Sequence, residues 1–393
     1  MVYGAAGTGF AGANLILARV LPPVEYAIFT LVTALVNLAI SIAPLGLDGI
    51  VIRHRLVAGP GLLARVIGAG TLVALALAAV AATAYDVTRP LLAILMASTI
   101  AGGAMIVAGA WFQNQQRFGM SLGLIQSPNL VLLLAALVVA AARGSEAWLP
   151  LLIVSAGFTA AAACGWVRIF REQESERRHS GRLPWGEGLA FLGLAASGLI
   201  LVQMDRLMIP HVLQLQDLAT YGVLAAIAGS LFRVLQMGVG YSLLPRLRAA
   251  PSVRARRRLI TQEARLVGGI VLVGSAVIWF VTPLIERWFL AGKYHLTGSL
   301  VLAAICAGVA KILNSFGKAT VTALADVREL TLVNLMGWVA VAIAVPASMF
   351  GARWGLAGVI YGVGLAWTIR AAAAFYITLH HVRLPASAPV TAP

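Results

Sequence analysis

Polar residues arrive in short clusters along this chain, and almost every run between them is apolar all round. These apolar runs are about 17 to 25 residues long, the length an α-helix needs to cross the hydrocarbon core of a bilayer. They fall near residues 2–19, 26–51, 64–84, 90–110, 121–142, 147–168, 188–209, 218–244, 264–283, 298–323, 330–350 and 355–378. The pattern predicts an all-α polytopic membrane protein of about 12 transmembrane helices. Breakers such as Pro22-Pro23, Gly59-Pro60-Gly61, Arg143-Gly144-Ser145 and Leu183-Pro184 separate the runs. The connecting segments are too short to fold as soluble domains, so any chemistry takes place within or beside the bilayer.

Composition agrees. Of 393 residues, 60% are hydrophobic and 11% charged, against roughly 25% charged in a soluble domain. The net charge of +15 would suggest nucleic acid in a soluble protein, but here the basic residues sit in short loops, and no nucleic-acid partner is expected. With a cytoplasmic amino terminus, the loops on that side, counting Arg328, Arg370 and Arg383, hold 19 basic residues and the opposite side holds 7. The positive-inside rule then sets the orientation, with both termini expected on the cytoplasmic side. The first twenty residues lack a basic leader region and read as a first spanning helix, so a cytoplasmic segment before it is absent or the start has been misplaced. Cys164 and Cys306 lie in apolar runs without ligand spacing and are expected to pack between helices.

An internal duplication is suggested by Tyr26 and Arg53, which bracket one run, and Tyr221 and Arg248, which bracket another 195 residues later. It predicts two six-helix lobes, 1–185 and 186–393, with a central cavity between them. Gly7, Gly9 and Gly12 spell G-x-G-x-x-G, but no strand precedes them. They suit close helix packing rather than a nucleotide.

Ionisable residues inside the spans are the informative ones, because each costs several kcal/mol, about 2.5–3.5 on insertion scales, unless it faces a cavity or a partner. Lys311, Asn314 and Lys318 recur at i, i+3 and i+7 and form one polar stripe, expected to face an aqueous lumen. Arg233 and Gln236 lie at i, i+3, with Arg233 at a depth similar to Lys311. If the two halves face each other, Arg233 and Lys311 form an electropositive belt near the midplane suited to phosphate or uronic-acid groups, and these five residues are the substrate-binding candidates. Asn37, Ser41 and Asp48 are read along one face of the second span, with Asp48 near its cytoplasmic end at the depth of Lys318 as a gate. Asp205 and Arg206, adjacent and unable to pair side by side, each need another partner. These four ionisable or amide residues, Asn37, Asp48, Asp205 and Arg206, are the gating or coupling candidates. The cluster Arg254, Arg256, Arg257 and Arg258 suits anionic headgroups or a polyprenyl pyrophosphate as well as topology.

No nucleophile–base–acid set, zinc motif, Walker motif or metal-ligand cluster is present, and the six histidines are read in loops or tails. No cofactor or metal is expected, and enzyme chemistry has no visible site. A polymerase or ligase would be expected to carry a long outer loop with catalytic basic residues, and a non-catalytic scaffold is the remaining alternative.

Ala18-Arg19-Val20-Leu21, Glu25-Tyr26, Gly46-Leu47-Asp48 and Arg53 resemble the first two helices of the polysaccharide biosynthesis exporters, the oligosaccharide (O-antigen-type) flippases of the multidrug/oligosaccharidyl-lipid/polysaccharide superfamily. Gln203, Asp205, Arg206, Leu207, Met208 and Ile209, followed by Tyr221 and Gly222, repeat the theme. Ala219-Thr220 replaces the glycine usual before the tyrosine. The resemblance implies two lobes that open alternately and export an undecaprenyl-diphosphate-linked oligosaccharide, with a coupling cation, H+ or Na+, as a further partner. A cation-coupled drug antiporter of the same superfamily is the alternative, and would be expected to carry more carboxylates within its spans.

Overall fold

The computed structural model describes residues 2–54, 58–172, 184–250 and 252–383; within these, some helical side chains, including those of Arg233 and Gln236, lie outside the description. Among the described residues the chain is all helix. The elements are α1 (Val2–Val20), α2 (Pro23–Ile42), α3 (Leu47–His54), α4 (Pro60–Tyr85), α5 (Arg89–Asn114), α6 (Phe118–Ala142), α7 (Trp148–Glu172), α8 (Trp185–Val212), α9 (Leu215–Ala249), α10 (Val253–Leu284), α11 (Gly298–Leu324), α12 (Val327–Gly351) and α13 (Gly355–Arg383). Helices are the natural form for such runs, since lipid offers no partner to a backbone N–H or C=O. At least eight stretches are long and apolar enough to cross a membrane.

The ends follow from local chemistry. Proline opens α2, α4 and α5, where its missing N–H costs nothing. Asp326 starts α12 in a capping box: its carboxylate accepts from the Glu329 N–H at 2.8 Å, and Glu329 accepts from the Asp326 N–H at 3.0 Å. Pro283 lies inside α10, and a π-helical turn, Ile285–Phe289, follows directly, as expected where proline removes a helical donor.

The second apolar run departs from the sequence expectation. Instead of one helix over 26–51, it breaks after Ile42 and resumes at Leu47. The break is an elbow in which Leu45 (φ 48°) and Gly46 (φ 79°) take left-handed backbone. A methyl group on Gly46 would lie 1.9 Å from the Gly188 carbonyl oxygen, so α3 and the start of α8 cross glycine on glycine. The far end of α3 is tied to the same helix. Arg53 and His54 both reach the Glu187 carboxylate, at 2.6 and 2.7 Å.

The contacts divide the chain into two compact units, up to Ala226 and from Ile227 onward, so α9 contributes to both. In the first unit α5 and α7 form a close seam: Gly165 lies against Ala108 and Leu124, and the indole N–H of Trp166 donates to the Ala104 carbonyl at 3.0 Å. Gly9 and Gly12 of α1 face Asn129, Leu130 and Leu133 of α6, so the glycine motif serves helix packing. In the second unit α11 and α13 form a corresponding seam, with Gly364 against Ala307, Gly317 against Ala374, and Thr320 hydrogen-bonded to Thr378 at 2.8 Å. Across the α11–α13 seam residue numbers rise together, so that pair is parallel; α5 and α7 also run the same way, since the end of α7 at Glu172 meets Arg117, just beyond the end of α5, at 2.6 Å. α12 packs antiparallel against α13, through Gly351 on Gly358 and Ala347 on Gly362.

Cys164 and Cys306 are exposed on α7 and α11 rather than packed between helices.

Candidate functional site

The α11–α13 seam carries the strongest chemical signal. Lys311 is the central residue of α11, and Arg370 lies within one turn of the middle of α13. The sequence expectation counted Arg370 among cytoplasmic loop charges; it is instead buried within the helix, with 6% of its surface exposed. Because the two helices run parallel in register, both cations lie at about the same depth. They meet on one aromatic ring: Lys311 Nζ and Arg370 Cζ each lie 6.0 Å from the centre of the Trp367 indole. Cation–π attraction strengthens when the pair is removed from water.

The seam is not sealed by its own hydrogen bonds. Trp367 Nε1 and Arg370 Nη1 are both buried and make no hydrogen bond among the described residues. Buried donors without acceptors are costly, and in a membrane span they mark a place where an acceptor is to be supplied. Asn314 is buried one turn from Lys311, and Lys318 is exposed two turns on. The predicted stripe on α11 is therefore one helix face whose middle residue is the most buried. Neither α11 nor α13 contains a single Asp or Glu. The two helices thus bring together donors and no carboxylate of their own near mid-span, an arrangement suited to an anion with several acceptor oxygens. The Arg233 and Gln236 side chains lie outside the described residues.

A second polar cluster lies in the first unit. Asp205 is 1% exposed and accepts from the Tyr221 hydroxyl at 2.8 Å. Arg206 donates to Gln203 Oε1 at 2.8 Å and sits 6.0 Å from the Tyr221 ring centre. The partners that Asp205 and Arg206 were expected to need are thus Tyr221 and Gln203. Beside them is a cavity of about 10 Å³, with room for one water, lined in part by Asn14, Thr30, Thr33 and Arg206. Gly222 permits this closeness, since a methyl there would lie 2.8 Å from the Thr30 hydroxyl. Sequence reasoning missed Asn14, Thr30 and Thr33; polar residues recurring on the first two spans were the available signal.

Asn37 and Asp48 fall elsewhere. Asn37 is half-buried on α2, where its carbonyl accepts from the Ser41 hydroxyl at 2.8 Å. Asp48 is half-buried in the first turn of α3, beyond the elbow. The shared helical face expected for Asn37, Ser41 and Asp48 is therefore broken, because a left-handed turn resets the helical phase. His54 and His211 lie in the last turns of α3 and α8 rather than in loops. Among the described residues no three His, Cys, Asp or Glu side chains are grouped as metal ligands.

No protein-family model and no curated protein matches the sequence. Solved structures match in fold. A multidrug resistance MATE family transporter of the MOP superfamily, in an inward-facing conformation, aligns over 96% of this chain and 94% of its own, with a TM-score of 0.65 at 9% identity. The lipid II flippase MurJ, in an inward closed conformation, aligns over 95% of this chain and 85% of its own, with a TM-score of 0.64 at 10% identity. The eukaryotic MATE transporter AtDTX14 aligns over 96% and 94%, with a TM-score of 0.61 at 10% identity. The chain has the fold that these membrane proteins share.

Proposed function

We propose that the protein is a flippase that moves a polyprenyl-diphosphate-linked oligosaccharide across the cytoplasmic membrane for surface polysaccharide assembly, exposing the α11–α13 seam to the two sides in turn. The fold alone does not choose between substrates, since drug transporters and a lipid flippase share it. The charge of the seam supports an anionic, lipid-linked one. One observation carries the reading: Lys311, Lys318 and Arg370 lie on two paired helices that contain no carboxylate. A diphosphate offers the acceptors that Arg370 Nη1 and Trp367 Nε1 need, whereas a cationic drug would be repelled. Transport of this kind requires no bond chemistry, only two conformations with different exposure of one polar site. The recurrence of a parallel seam at α5–α7 and α11–α13 supports a duplicated architecture with lobes 1–185 and 186–393.

The test is reconstitution of the purified protein in liposomes with a fluorescent polyprenyl-diphosphate oligosaccharide in one leaflet. Wild type is expected to equilibrate the lipid between leaflets, and R370A and K311A to slow it at least tenfold. Equal rates in all three would remove the seam from the mechanism.

A cation-coupled drug antiporter is the second reading, favoured by the buried carboxylate of Asp205 held by Tyr221. It predicts uptake of a cationic dye driven by a proton or sodium gradient and lost in D205N. The flippase reading predicts no dye transport; in it, Asp205 and Arg206, with Asn37 and Asp48, serve gating or coupling.

A further inference from the structure

The turn between α9 and α10 builds a different cationic site. From Arg246 to Arg265 the chain carries seven arginines and one acid, Glu263. Glu263 is buried and salt-bridged to Arg246, so the rest of the positive charge is not neutralised from within this stretch. An open cleft of about 450 Å³ lies at this turn. Arg246, Arg258 and Gln262 supply its polar wall, and Ala249, Ala250 and Leu259 its apolar wall.

Two features say what kind of molecule fits. The first is electrostatic. Ser252 caps α10 by accepting from the Ala255 N–H at 3.2 Å, and Arg254, Arg256, Arg257 and Arg258 follow within the first two turns. Four cations there oppose the helix dipole and one another, and an anion in the cleft relieves both. The second feature is apolar continuity. Beyond Gln262 the same face of α10 continues as Leu266, Ile270, Val273, Val277 and Phe280, all exposed and spaced by three or four residues. The stretch containing α10 is the least buried of the apolar spans. A soluble phosphate would meet the cleft alone, whereas a lipid headgroup held there would have its acyl chain beside this stripe.

We propose that the cleft binds the phosphate headgroup of an anionic membrane phospholipid, whose acyl chain lies along Leu266, Ile270, Val273 and Val277. Clusters of four to eight basic residues at the end of a spanning helix hold such lipids at about 1 kcal/mol per residue. The site is defined by different residues from those of the seam. It holds whether or not the seam carries a lipid-linked sugar, because binding is read without transport.

The experiment is native mass spectrometry of the full chain, released from detergent containing equal amounts of phosphatidylglycerol and phosphatidylcholine. Wild type is expected to retain phosphatidylglycerol selectively. R258Q should weaken that retention about fivefold, R258K should restore most of it, and R89Q, a basic residue at the start of α5, should leave it unchanged. Melting temperatures of the variants separate loss of the lipid from loss of the fold. Equal retention by wild type and R258Q at equal melting temperature would overturn the proposal. So would displacement by millimolar inorganic phosphate, or preferential retention of a polyprenyl diphosphate over phosphatidylglycerol.

Discussion

The α5–α7 seam and the α11–α13 seam are built alike and charged differently. Each is a parallel pair in which a glycine admits the neighbouring helix, and each buries a tryptophan from its second helix. In the first seam the Trp166 N–H is satisfied by the Ala104 carbonyl, and charged residues occur only towards the helix ends. In the second, the Trp367 N–H has no hydrogen bond among the described residues and the ring carries two cations at mid-depth. The same helix geometry thus serves as a closed structural joint in one unit and as an incomplete polar site in the other. Parallel packing does not dictate function; the side chains at its centre do.

The largest expected effect comes from making the second seam resemble the first. R370L removes the buried cation and its unsatisfied donor, so transport of the lipid-linked substrate should fall at least tenfold in liposomes. Thermal stability should not fall, because a buried charge without full compensation is a cost to the fold. A loss of stability that parallels the loss of transport would make Arg370 structural. Next is the closeness of the helices. At Gly317 an added Cβ would lie 2.8 Å from the Ala374 Cβ, a methyl that cannot rotate away. G317V should therefore lower stability by about 1–3 kcal/mol, measured by reversible denaturation in detergent.

The tryptophans give a finer comparison. W166F removes a hydrogen bond within the protein and should cost about 1 kcal/mol more than its lost packing. W367F removes none and should be close to neutral in stability while still slowing transport. Equal stability costs would mean that the two indoles are held alike. The smallest effect concerns the ion pairs at the end of α3. Arg53 is 62% exposed at its side chain, so R53A should cost no more than about 0.5 kcal/mol, and less in high salt.

Helical class was legible in the sequence because lipid removes the usual ambiguity: a run apolar on every side has only one good way to satisfy its backbone. Lys311, Asn314 and Lys318 were legible for a related reason, since polar residues stand out against such a background. Arg370 was hidden by the same logic applied too broadly. One arginine beside four alanines near a chain end looks like a topology signal, and only the helix running on to residue 383 shows its true depth. The elbow was announced by Pro44-Leu45-Gly46, yet the unbroken hydropathy on both sides outweighed it. Tyr221 and Gln203 as partners of Asp205 and Arg206 depend on three-dimensional contact, which spacing along one helix cannot supply.

The glycine crossing of Gly46 and Gly188 has a mechanical meaning. Neither glycine brings a side chain to the crossing, and the neighbouring contacts are apolar, with Ile50 against Gly188 and Phe191 against Gly49. From the far end of α3, Arg53 and His54 reach back to Glu187, the residue beside Gly188, through charges that water and salt can loosen. The short helix is therefore held to α8 by close dry contact at its start and by exposed ions at its end, so added salt weakens only one of its two attachments.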